Sequence, residues 1–78
     1  MTDQAILQQA RNIVADKFVA IETKRVRPAQ YTSFEAWGRH IDDYSRFMRE
    51  GAYDNDLAVV ATIAALEFAA AAQTEGLA

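Results

Sequence analysis

The sequence predicts an all-α protein, a small three-helix bundle. Three observations carry that expectation. Apolar residues recur at the 3.6-residue helical period in three separate stretches. Breakers are rare and fall mostly between those stretches: one proline, Pro28, and three glycines, Gly38, Gly51 and Gly76. The chain has 78 residues and no internal repeat, so it holds one domain.

The first helix is expected over about 3–23. Ile6, Leu7, Ala10, Ile13, Val14, Phe18 and Ile21 share one face, with Gln8, Gln9, Arg11, Asn12, Asp16 and Glu22 opposite. Lys24 and Arg25 answer the negative C-terminal pole of the helix, and Pro28 forbids its continuation. The second helix is expected over about 33–50. Thr32 with Glu35 reads as a capping box, and Gly51 is the natural stop. Phe34, Trp37, Ile41, Tyr44 and Met48 form its apolar face, and the pairs Arg39/Asp43 and Arg46/Glu50 stand at i,i+4 on its wet face. Gly38 costs about 1 kcal/mol inside a helix, so a close approach by another helix is the expected reason for it.

The third helix is expected over about 56–74, capped by Asp54 or Asn55. It differs in kind from the other two. Leu57, Val60, Ala64 and Phe68 lie on one face, and Val59, Ile63, Leu66 and Ala70 on nearly the opposite one. A helix apolar on two sides is sandwiched between neighbours or buried in an oligomer. Two partner helices would cover both faces, leaving the small, smooth strip of Ala58, Thr62, Ala65, Ala69 and Ala72 as the candidate contact surface.

Composition narrows the function classes. Apolar residues make up 51% of the chain, but 16 of the 78 residues are alanine, so few large side chains remain to build a core. Cores this small need a staple or a partner. Absence of cysteine excludes disulfides, thiolate zinc sites and cysteine nucleophiles, and a single histidine excludes a multi-histidine metal site within one chain. No cofactor and no metal are expected. Residues 1–50 carry eight basic and seven acidic groups, whereas residues 51–78 carry four acids and no Lys or Arg. With a net charge of −3, general nucleic-acid binding is disfavoured. Thr2, Asp3 and Gln4 provide no basic start to a signal peptide, and the apolar stretch 57–72 is too short and carries Glu67, so no membrane span is expected. A cytoplasmic setting fits this composition.

Candidate chemistry is sparse. His40 begins the run His-Ile-Asp-Asp, with Asp43 one turn away, but one imidazole and one carboxylate complete no site. The helical phase predicts a solvated surface histidine beside the ion pairs. Lys24, Arg25 and Arg27 cluster near Tyr31, an arrangement that suits a phosphate or an acidic partner with Tyr31 stacking on a base. The simpler expectation is a solvated loop complementing the helix terminus. Glu67 is expected at an edge facing water.

The run Phe47-Met48-Arg49-Glu50-Gly51-Ala52-Tyr53 through Ala64 resembles the helix–glycine–aromatic–helix segment of ovarian-tumour (OTU) type cysteine proteases. There a helix ending in Met or Leu precedes a Gly-x-aromatic turn and an apolar helix rich in alanine. Ala10 to Glu22 and Ser33 to Met48 are similar to that family's helical subdomain in order and length, so the resemblance covers roughly residues 10–66. The family's nucleophile lies before these helices in an Asp-Gly-x-x-Cys element and its histidine after them on a strand. This chain has no cysteine, and its end, Gln73-Thr74-Glu75-Gly76, has no histidine. No catalytic residue carries over; the resemblance implies a helical scaffold without an active site.

The expectation is a non-enzymatic protein-protein interaction module, an inhibitor or adaptor, and a homodimer. It would dock Ala58, Thr62, Ala65 and Ala69, or the Trp37/Tyr44 face, onto a partner protein. Phage-borne inhibitors of host defence, such as anti-CRISPR proteins, share its small size and mild acidity. The alternative is a regulatory protein contacting nucleic acid or phosphate through Lys24, Arg25, Arg27 and Tyr31.

Overall fold

The computed structural model describes residues 3–77, with side chains through Gln73. It is all-α: α1 spans Gln4–Lys24, α2 Phe34–Glu50 and α3 Leu57–Leu77. Each start has a local cause. Asp3 accepts from the Ala5 amide at 2.7 Å, Ser33 from Ala36 at 3.1 Å and Asp56 from Ala58 at 2.9 Å. Two of these correct the sequence reading. Ser33, not Thr32, caps α2, and Glu35 reaches Arg39 (3.5 Å) rather than closing a capping box. Asp56, not Asp54 or Asn55, caps α3, because Asp54 is engaged elsewhere. The third helix also continues to Leu77 instead of ending near Thr74.

α2 ends on Gly51, whose φ of +101° is the left-handed conformation glycine adopts freely. The Gly51 amide donates to Met48 O (3.3 Å) and the Ala52 amide to Phe47 O (3.0 Å), the paired bonds of a Schellman stop. Gly51 is needed for a second reason. Arg11 of α1 lies over it, so close that a Cβ would sit 2.7 Å from the guanidinium nitrogen Nη2. That guanidinium grips Asp54 in two places, Nε to Oδ1 at 2.9 Å and Nη2 to Oδ2 at 2.6 Å. Gln8 supports it: its carbonyl accepts from Arg11 (3.1 Å) while its amide donates to the Arg49 carbonyl at the end of α2 (3.0 Å). The α2–α3 turn is thereby bolted to α1.

Gly38 is the contrary case. A Cβ there would meet nothing within 4 Å, so no neighbour demands glycine, and the expected close helix approach is absent.

α1 and α2 run antiparallel, since Asp16 meets Arg49 (2.5 Å) while Phe18, further along α1, meets Tyr44, further back along α2. Among the described residues α1 packs against both other helices, and α2 and α3 do not pack against each other. This overturns the expectation that two helices sandwich α3. Ala10 and Ala15 of α1 are fully buried, and five residues put them about 140° apart around the helix, so α1 closes on neighbours on two sides. The rest of the core is Trp37 and Ile41 of α2 and Val59 of α3. The bundle is long rather than round: it extends 56 Å, against about 31 Å for a 21-residue helix. Its radius of gyration is 15.7 Å, where a compact chain of this length has about 11.5 Å.

The two glycines give substitutions of opposite sign. Gly51→Ala should destabilise by about 1–2 kcal/mol, through the positive φ and displacement of Arg11. Gly38→Ala should stabilise by up to about 1 kcal/mol, through helix propensity alone. Urea denaturation of both variants checks this, and a Gly51→Ala chain as stable as wild type would contradict the account of Gly51.

The Arg11 hydrogen bonds hold the Asp54 carboxyl below its usual range, against partial burial that opposes them. Its folded pKa therefore lies below the unfolded value near 3.9, so the pair's contribution is complete above that pH and is lost as pH falls through the folded value. Asp54→Asn should remove part of the acid-induced loss of stability. Denaturation midpoints measured from neutral pH to about pH 2 should fall less in the variant than in wild type.

Candidate interaction surface

The expected contact strip, Ala58, Thr62, Ala65 and Ala69, recurs at intervals of four, three and four and so follows one side of α3. Ala58, Ala65 and Ala69 are exposed and Thr62 is half-buried. The Thr62 hydroxyl donates to the Ala58 carbonyl at 2.7 Å, which satisfies its polarity within the helix. Ala58 and Thr62 form one wall of a cleft of about 420 Å³, with Ile13, Phe18 and Ile21 of α1 facing them and Lys17 and Asp56 also on its lining. Met48 and Tyr53 complete it from the α2 side.

The larger residues of α3 matter more than the alanines. Among the described side chains of α3 only Val59 is buried; Leu57 is 79% exposed and Phe68 78%, with Val60 about half exposed. From Glu67 to Gln73 every described side chain is exposed. Across the cleft Ile13 and Ile21 are half exposed as well. Sequence reasoning named the small strip and treated Leu57, Val60 and Phe68 as core. Their exposure is the main feature that it missed, and it follows from α3 having one helical neighbour instead of two.

Trp37 and Tyr44, proposed from sequence as a docking face, belong to a different structure. Trp37 is 7% exposed, so its ring is unavailable to a partner, while Tyr44 sits at the rim. The two rings flank His40, which stacks on Trp37 at 5.2 Å and 14° and meets Tyr44 at 4.5 Å. The Tyr31 hydroxyl shares a hydrogen bond with His40 Nδ1 at 2.9 Å, and the Tyr31 ring lies 5.0 Å from Trp37. The expected solvated histidine is therefore a half-buried member of an aromatic cluster. Asp43 does not accompany it, being paired with Arg46 at 3.4 Å. A signal was present in the sequence: Trp37, His40 and Tyr44 stand at i, i+3 and i+7, one helical stripe.

The basic loop is largely engaged internally. Arg25 pairs with Glu22 (3.4 Å), and Arg27 donates to the Tyr31 carbonyl and lies 4.9 Å over the Phe34 ring. Tyr31, committed to Trp37 and His40, is not splayed out for a base. Lys24 forms no ion pair among the described residues and stands at the end of α1. Phe34, expected in the core, is 77% exposed beneath Arg27. Among the described residues no three His, Cys, Asp or Glu side chains gather as metal ligands, and no helix is long and apolar enough to cross a membrane.

Compared with known proteins, the chain matches no family model, no curated relative and no solved structure. The geometry alone carries the functional reading.

The hydrogen bond between Tyr31 and His40 gives a direct test of the aromatic cluster. Tyr31→Phe should cost about 0.5–1.5 kcal/mol, and a double-mutant cycle with His40→Ala should show coupling of about 0.5–1 kcal/mol. Additive effects in denaturant titrations would show that the two side chains do not act together.

Proposed function

We propose that the chain is a non-enzymatic protein-protein interaction module, an inhibitor or adaptor of a larger protein that works in the cytoplasm. It engages its partner with α3 and the cleft between α3 and α1. The observation that carries this reading is the exposure of Leu57, Val60 and Phe68 on a helix that packs only against α1. Each large side chain of this kind gains about 1.5–3 kcal/mol when buried. A row of them beside an apolar cleft is the anatomy of an interface core. Charge fits the same reading: among the described residues the exposed charged side chains of α3 and its cap are Asp56 and Glu67, both acidic, so they suit a partner whose rim is basic.

Phe68→Glu and Leu57→Glu should leave stability within about 0.5 kcal/mol, since both residues are mostly exposed in the isolated chain, yet abolish capture of the partner from host extract. Val26→Glu, at an 87% exposed position in the α1–α2 loop, should retain it. Capture that survives both α3 substitutions would refute this function.

A further inference from the structure

A second cavity, of about 490 Å³, is formed by α1, α2 and the turns that follow them. That is the size of a small-molecule site. One side of it is built from rings: Tyr31 of the loop, Trp37, His40 and Tyr44 of α2, and Tyr53 of the next turn. Consecutive centroids in that series lie 5.0, 5.2, 4.5 and 6.3 Å apart, so the rings form one continuous wall. Trp37, too buried for a protein partner to reach, still lines the cavity. Phe18 and Glu22, one turn apart on α1, close it from the other helix.

Glu22 is the carboxylate of this cavity, and it is poorly answered. Its side chain is only 15% exposed, yet its ion pair among the described residues is a single contact with Arg25 at 3.4 Å. That is longer than an ordinary N–H···O hydrogen bond. A carboxylate withdrawn this far from water is stable only with close partners. Arg25 is itself 61% exposed and answers Glu22 from the solvent side. The Tyr31 hydroxyl is engaged with His40 Nδ1 at 2.9 Å and does not serve Glu22.

Electron-rich rings and an under-satisfied carboxylate around one space are the two requirements of a site for an organic cation. The rings attract a weakly hydrated positive charge, and the acid supplies its counter-charge. We propose that this cavity binds a small quaternary ammonium ion, with its methyl groups against Tyr31, Trp37, Tyr44 and Tyr53 and its charge toward Glu22. A quaternary nitrogen has no N–H to satisfy, which suits a wall made mainly of rings. A primary ammonium carries three donors and a strong hydration shell that such a wall does not replace. Arg25 is the chain's own stand-in for that charge, and the ligand takes Glu22 from it. The site is separate from the α3 surface and stands or falls independently of the docking reading.

Trp37 is the chain's one tryptophan, so intrinsic fluorescence reports on the cavity directly. Choline titrated into the full chain should change that fluorescence saturably, and saturation-transfer NMR should show its methyl protons in contact with the protein. Its uncharged carbon isostere, neohexyl alcohol, should bind roughly ten-fold more weakly. That comparison is made on the wild-type chain and needs no variant to fold. Glu22→Gln and Tyr44→Leu should each weaken choline binding roughly ten-fold, with helicity by circular dichroism unchanged. Arg25→Ala should tighten it, because the competing cation is gone. No saturable change up to about 50 mM choline overturns the site. Equal binding of choline and its isostere overturns recognition of charge. Choline binding that Glu22→Gln leaves intact, or that Arg25→Ala weakens, overturns Glu22 as the counter-ion.

Discussion

The grip of Arg11 on Asp54 decides the architecture. Everything after α2 must reverse direction at Gly51, and that reversal is laid against α1 by the bidentate ion pair. Glycine at 51 removes the side chain that would hold the guanidinium off, and Gln8 ties the same arginine to the last turn of α2. With the turn fastened to α1, α3 leaves along α1 and does not pack on α2. A salt bridge of this kind does not supply much of the folding free energy, because both groups keep some contact with water. Its value is geometric, choosing one exit path among several that the apolar pattern would tolerate.

That exit path explains the thinness of the core. A closed bundle gives each helix two neighbours, but here only α1 has two, so α2 and α3 bury one stripe each. α2 suits this, with Trp37 and Ile41 inside and charged residues outside. α3 does not, because its apolar residues run around the helix and one neighbour covers only the side with Val59. The alanines keep α3 helical without much packing, since alanine has the most favourable helix propensity. An isolated helix of this length is still marginal in water, and the last turn carries no base to answer the helix dipole. Propensity alone therefore does not account for Phe68 and Leu57 on its surface.

Local signals were legible in the sequence, and distant ones were not. The three helices, the stop at Gly51 and the chain break around Pro28 come from periodicity and backbone chemistry, which act within a few residues. In sequence Asp54 reads as a cap because capping looks only a few residues ahead, whereas its true partner, Arg11, lies 43 residues back. Once Asp54 is taken, the neighbouring Asp56 caps α3 instead. His40 departs from its expected place for a different reason: its polarity suggests solvent, but it lies on the Trp37–Tyr44 stripe, where the imidazole satisfies one nitrogen through Tyr31 and still stacks on a ring. The two-sided apolarity of α3 was visible, and so was the contact strip. The number of helices covering α3 was not, since it depends on the exit path fixed by Arg11.

What covers α3 is narrowed by its charge. A bilayer surface is an alternative destination for an exposed apolar helix, and helices that lie on one combine an apolar face with Lys and Arg reaching the headgroups. α3 has neither base, and residues 51–78 are purely acidic in their charges, so anionic headgroups would repel them. Its apolar residues are also not gathered on one face, as an interfacial helix requires. A protein surface meets these conditions better, because a shaped partner can contact α3 from more than one direction. The cleft beside α3 already supplies one such shape, and its wall of Ile13 and Ile21 is half exposed for the same reason that α3 is. The exposed side chains of α3 and the open cleft are thus two consequences of one missing helix-helix contact.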